Sequence, residues 1–221
     1  MIAAASFVGI GSQEAFPPPT YFVFLVMGKN PPKATKEEIS EYQKAHISNF
    51  DRLFGLKKLC AAGPMSDPTK HKRGIVMLTV KKPAEVMEAF GPDPYVSKGF
   101  MDVQMHPLRV DFGKVNTAGI EPSGIEENRI VIFTKGTLVP DSPELRLATK
   151  LQADHLKKEG PKAGLAFYAT FTSNTADERA VAFFRGKDDL TIQAWIDAHP
   201  LVKMGTLKAT KMPQYLGKGV L

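Results

Sequence analysis

The stretch Asp93-Pro94-Tyr95-Val96-Ser97-Lys98-Gly99 decides the fold, because a weaker copy of it, His199-Pro200-Leu201-Val202-Lys203-Met204-Gly205, follows 106 residues later. At that shift Pro94, Val96, Gly99 and Pro107 coincide with Pro200, Val202, Gly205 and Pro213. Upstream of each copy stands a histidine, His46 and His155, 109 residues apart. A small insertion or deletion between a helix and the loop would produce that change of register. The chain therefore reads as two related units of about 100 residues, an ordinary domain size. One exchange breaks the symmetry: Asp93 becomes His199. A histidine and a carboxylate make an acid/base pair, whereas two histidines do not make the same one.

Working outward, Thr20 to Gly28 is a β-branched and aromatic run ended by Gly28 and Asn30-Pro31-Pro32, the signature of a buried strand. Thr35 followed by Glu38 is a capping box, and apolar residues from Ile39 to Phe54 recur at helical spacing up to about Leu56. Leu59 to Ala62 and Gly74 to Val80 read as strands. Pro83 opens a helix through Phe90, since its missing N–H costs nothing at the first position. Phe100 to Asp111 closes the unit as a strand. The second half repeats the order with strands at Arg129 to Thr134, Leu165 to Thr172, Arg179 to Phe184 and Thr206 to Met212. Its helices are Ser142 to Lys158 and Asp188 to Ala198.

This is β-α-β-β-α-β twice, the ferredoxin-like pattern. The expected fold class is α+β: two tandem ferredoxin-like units, residues 20–112 and 128–221, packed sheet to sheet as an intramolecular dimeric α+β barrel. Residues 113–127, with Gly113, Gly119, Pro122 and Gly124 and no periodicity, read as a linker. Each sheet has one face without helices, and Val23, Leu25, Ile75, Met77, Val103 and Met105, with Ile130, Ile132, Phe167 and Phe183, are the expected cover between them. The result is an intramolecular pseudo-dimer, with further self-association left open.

Residues 1–19 stand apart from the fold. Ile2 to Ile10 is apolar and rich in small residues, with Ser12 and Ala15 as cleavage positions, which fits part of a secretory signal; no Lys or Arg precedes it. A disordered tail is the alternative. The first reading implies export and the second a cytoplasmic protein. No apolar run approaches the roughly 18 residues of a spanning helix. The single cysteine, Cys60, excludes an internal disulfide and a CxxC site and suits a small packing role. The net charge of +6 is scattered in pairs and in the loop Lys70-His71-Lys72-Arg73, which suits a solvated surface better than a phosphate track. Nucleic acid is set aside for that reason and because neither half carries the aromatic strand motif of RNA-recognition domains.

In residues 20–112 the chain resembles the YCII-related (YciI-like) family, a branch of the dimeric α+β barrel superfamily. The resemblance rests on the strand at Tyr21, Ala45-His46-Ile47 followed by Leu53, Ala62-Gly63-Pro64-Met65, and Asp93-Pro94-Tyr95-Val96 followed by Gly99. In the second half Asp154-His155-Leu156 and His199-Pro200-Leu201-Val202 are fainter matches, without a Gly-Pro-Met equivalent. It implies a ferredoxin-like fold with two facing sheets and a cleft holding a His-Asp pair suggested to be catalytic. Relatives in the superfamily include lactone isomerases, a dehydrochlorinase and monooxygenases that use no metal.

The candidate catalytic residues are thus His46 and Asp93, with Tyr95 and Ser66 as substrate-binding candidates. Imidazole titrates near neutral pH, and a carboxylate beside it orients the ring. Both residues have plainer readings, His46 as a half-buried histidine capping a loop and Asp93 as a turn residue bonding its own backbone. Tyr95 suits packing as well as binding, and Trp195 reads as core. No third ligand accompanies His155 and His199, so no metal site is expected, and no cofactor motif appears. The leading expectation is a small-molecule enzyme, without cofactor, for an elimination, isomerisation or hydrolysis. The alternative is a non-catalytic small-ligand binding or structural protein.

Overall fold

A computed structural model describes residues 16–117, 124–137, 141–173, 175–186 and 188–221. The signal-like residues 1–15 and linker residues Gly119 and Pro122 lie outside them.

The described residues fall into two compact units. The first holds those up to Pro107, with those of Val115–Glu126 and Gln214–Val220; the second holds Leu108–Lys114, those of Glu127–Pro213, and Leu221.

The first unit runs β1 (Tyr21–Met27), α1 (Lys36–Gly55), β2 (Leu59–Pro64), β3 (Lys72–Leu78), α2 (Pro83–Phe90), a short α3 (Pro94–Ser97) and β4 (Met101–Gly113). Its antiparallel sheet has the order β2-β3-β1-β4. The capping box forms: Thr35 Oγ1 accepts the Glu38 N–H at 3.2 Å and the Glu38 carboxylate accepts the Thr35 N–H at 2.7 Å. From there His46, Asn49, Phe50 and Leu53 fall on one buried face of α1. Phe50 and Leu53, with Val86 and Phe90 of α2, pack on Val23, Leu25, Val76 and Leu78 of the sheet. Each such side chain, fully buried, contributes about 1.5–3 kcal/mol.

The second unit runs β5 (Ile125–Lys135), α4 (Pro143–Lys158), a 3-10 turn (Pro161–Ala163), β6 (Leu165–Phe171), β7 (Glu178–Arg185), α5 (Asp189–Ala198), a short α6 (Pro200–Lys203) and β8 (Leu207–Gly217). Its strand order, β6-β7-β5-β8, matches that of the first. Leu108–Gly113 of β4 pair with β6 as a further edge.

One glycine lock occurs in both units. Gly28 donates its N–H to Phe100 O at 2.9 Å, and Gly136 donates to Thr206 O at 2.8 Å. A Cβ on either would meet the carbonyl oxygen of Gly99 or Gly205 at 2.1 Å. Gly99 and Gly205 themselves have φ of +80° and +71°, which side chains disfavour.

Three expectations need correction. Val23 and Leu25 face the helices rather than the free sheet face, as do Val103 and Met105, which pack on the same cluster. The residues of β1 on the opposite face are Phe22 and Phe24, both without exposed surface. Six successive buried residues in β1 leave no alternation from which to choose a face. Residues 113–127 are not all linker, because β5 begins at Ile125. Lys72 and Arg73 belong to β3, not to a loop. Among the described residues no helix is long and apolar enough to cross a membrane.

Candidate functional site

Two helices bring the first unit's polar residues together. Asn49 on α1 donates its amide to Ala89 O at 3.1 Å, at the end of α2, and Arg52 donates to Asn49 Oδ1 at 2.8 Å and to Ala89 O at 3.1 Å. One turn before Asn49, His46 is thereby held opposite the segment after α2. Asp93 caps α3, its Oδ1 accepting the Tyr95 N–H at 3.0 Å. Its Oδ2 lies 2.6 Å from His46 Nδ1. Asp93 is thus both the turn residue and the histidine's partner. It has no exposed surface, so both carboxylate oxygens are satisfied where water does not reach.

A buried carboxylate accepts, which assigns a ring proton to Nδ1 and leaves Nε2 outside this contact. Nε2 has no hydrogen-bond partner among the described residues and is not a buried atom. Phe50 and Tyr95 hold the ring at centroid distances of 4.4 and 5.3 Å. The Tyr95 hydroxyl lies 3.2 Å from Gln43 Oε1 and 3.4 Å from Ile39 O. Burial, then the nearby Asp93, raises its pKa against the opposing pull of Arg73, so it is a neutral donor.

His46 and Tyr95 open on a cavity of about 760 Å³ within this unit. Leu25, Ile47, Phe50 and Ile75 supply apolar lining, and Lys36, Lys44 and Arg73 bring positive charge to a lining that contains no acidic residue. Tyr215, Leu216 and Gly217 complete it. They belong to the end of β8, anchored where Gln214 bridges Met65. Sequence reading missed these three, and missed Asn49 and Arg73; only Gly63, whose Cβ would fall 1.8 Å from Tyr215 O, carried a trace of that close approach.

Ser66 does not join the site. It is exposed and absent from the cavity wall, because Asp67 folds the chain away after Pro64 by accepting the N–H groups of Thr69 and Lys72. Cys60 is buried beside Thr79 Oγ1 at 3.1 Å, and burial pushes its thiol pKa up.

The second unit is built differently. His155 Nε2 meets Trp195 O at 3.1 Å, and its ring stacks on Trp195 at 4.7 Å. His199 has no exposed surface and no hydrogen-bond partner on either ring nitrogen among the described residues. Its ring lies 5.1 Å from that of Phe133 and 5.5 Å from that of His155. Burial, followed by repulsion from His155, pushes its pKa down to about 3. Trp195 is core, as expected. Among the described residues no group of three or more His, Cys, Asp or Glu is placed to hold a metal ion.

No family model and no curated protein matches the chain. Solved structures do. A chlorite dismutase from Candidatus Nitrospira defluvii aligns over 90% of this chain and 91% of its own at a TM-score of 0.57 and 8% identity. A candidate monooxygenase from Fusobacterium nucleatum aligns over 93% and 97%, at 0.56 and 8% identity. A heme-binding protein from Thermus thermophilus aligns over 92% and 94%, at 0.54 and 8% identity. The chain has the α+β fold of the dimeric α+β barrels. At such identities the likeness is one of fold alone, and function has to be argued from the site.

Proposed function

We propose that this dimeric α+β barrel protein is a small-molecule enzyme in which His46, oriented by Asp93, transfers a proton within the first unit's cavity. The carrying observation is the 2.6 Å contact between His46 Nδ1 and the fully buried Asp93, beside a cavity onto which the ring opens. In an isomerisation Nε2 takes a proton from one substrate carbon and returns it to another. In an elimination the C–H electron pair forms the new double bond as the leaving group departs with its own pair. In a hydrolysis Nε2 takes a proton from water as its oxygen attacks the carbonyl carbon, and gives it to the leaving oxygen as the old C–O bond breaks with its electron pair. Throughout, Nδ1–H stays on Asp93, so the ring neither turns nor changes tautomer. The motifs around His46 and Asp93 support the finer reading of a YCII-type domain. The duplication, and the mutual cover of two sheets within one chain, belong to this same proposal.

The test is a screen of lactones, β-halo acids and enolisable ketones against the wild type, His46→Ala and Asp93→Asn. Activity lost in both variants supports the roles; activity kept in both refutes them. Ligand binding without turnover is the second reading, favoured by the largely apolar cavity and by the heme-binding protein of like fold. A ligand whose binding needs His46 but which is never converted would select it.

A further inference from the structure

We infer that the cavity of the first unit takes an organic anion, its apolar body among Leu25, Ile47 and Ile75 and its carboxylate or phosphate toward Arg73, Lys36 and Lys44. The inference deepens the proposed function and rests on its reading of this cavity as the ligand site.

Three cations and no acid line the cavity. None of the three has an ion-pair partner among the described residues. Some cations outside the cavity do have such a partner: Lys158 with Asp154 at 3.2 Å, Lys162 with Glu159 at 2.9 Å, Arg146 with Asp141 at 2.7 Å. The carboxylate of Asp93, which touches the lining residue His46, is engaged by His46 Nδ1 and the Tyr95 N–H. Glu37, Glu38 and Glu41 are exposed on α1 and absent from the wall, and the Glu38 carboxylate is engaged by the Thr35 N–H. Lys36 and Lys44 stand two turns apart on the α1 face that also presents Ser40 and Ile47 to the cavity. Arg73 reaches the cavity from β3. His46, Tyr95 and Arg73 all line this cavity, so an anion held by Arg73 shares it with the imidazole. Like charges gathered around an apolar hollow repel one another until a ligand anion neutralises them, and such a wall also steers anions inward.

The test uses three probes of one chain length, octanoate, octyl phosphate and octanamide, titrated calorimetrically into the full chain at low salt. At least one anion is expected to bind about fivefold or more tighter than the amide, and the larger gain tells carboxylate from phosphate. Exposed ion pairs are individually weak, so the preference should fall to within about twofold only in the triple variant Lys36→Gln, Lys44→Gln, Arg73→Gln, with amide affinity unchanged. Added salt should erode it in the wild type. Equal affinity for all three probes, a preference surviving the triple variant, or no binding by any probe would overturn the inference. His46→Ala separates it from the catalytic proposal. If that variant still prefers the anion, the inference holds whatever becomes of the enzyme reading.

Discussion

Asp93 and His199 occupy corresponding places in the two units: each lacks exposed surface, precedes a proline and stands at the N-cap position of a four-residue helix. Asp93 gives one carboxylate oxygen to the Tyr95 N–H and the other to His46 Nδ1, whereas neither ring nitrogen of His199 finds a partner among the described residues. The same backbone position thus completes a histidine–carboxylate contact in one unit and an aromatic packing centre in the other.

The units should therefore be unequal in catalysis. With an assay in hand, His46→Ala is expected to lower turnover about 10²-fold or more, the usual scale of general acid/base catalysis. His155→Ala should leave most of it, since His155 is bound to the Trp195 carbonyl. The opposite pattern would put the site in the second unit.

Asp93→Ala and Asp93→Asn should differ in stability. Alanine strands the His46 Nδ1–H and the Tyr95 N–H, each costing about 1–3 kcal/mol when buried without an acceptor. Asparagine can still cap α3 through its oxygen, so its loss should be smaller. Urea denaturation of both, with the midpoints compared, decides; equal losses would mean that the cap contributes little.

Acid should destabilise the protein partly through His199. Its folded pKa, about 3, lies below the ordinary value of 6.5, so between the two the unfolded chain binds more protons and stability rises with pH. The contribution is complete above the unfolded value and is lost as pH falls toward about 3, at up to about 1.4 kcal/mol per pH unit. His155, lowered first by burial, acts in the same direction. His199→Phe, packed against Phe133, should flatten the decline between pH 7 and pH 5. An unchanged decline would show that His199 does not drive it.

Gly63→Ala and Gly99→Ala separate two kinds of glycine. At Gly63 a Cβ would meet the Tyr215 carbonyl, so the end of β8 must shift and the cavity loses a wall. At Gly99 nothing lies within 4 Å, and only its φ of +80° is strained, a cost of about 1–2 kcal/mol. Octanoate affinity is expected to fall in the first variant alone; a fall in both would mean that Gly99 shapes the site too.

If the helix-free sheet faces cover each other within the chain, a fragment of residues 20–115 should expose Phe22 and Phe24 and self-associate. It also lacks Gln214–Val220, which belong to the first unit. Sedimentation velocity would reveal a well-behaved monomer, and that result would contradict the proposed packing.

Local chemistry determined the elements. The capping box at Thr35 and the opening proline of α2 act within a turn or two, so Lys36–Gly55 and Pro83–Phe90 were legible from the residues themselves. The motif resemblance and the β-α-β-β-α-β order also brought His46 and Asp93 together, because that order lays the two helices side by side. Their separation of 47 residues did not hide the pair. The inward face of β1 was not legible, since a strand buried on both sides has no polar alternation. Nor was the cavity's wall: Pro213 reads as the end of a strand, yet β8 continues to Gly217 and delivers Tyr215 and Leu216 to the first unit. Residues that meet only after the chain has folded back leave little periodic trace in their own neighbourhoods. The sequence by itself named His46 and Asp93 as a pair, and only the tertiary structure decided what surrounds it, because a cavity is a property of surfaces brought together from distant parts of the chain.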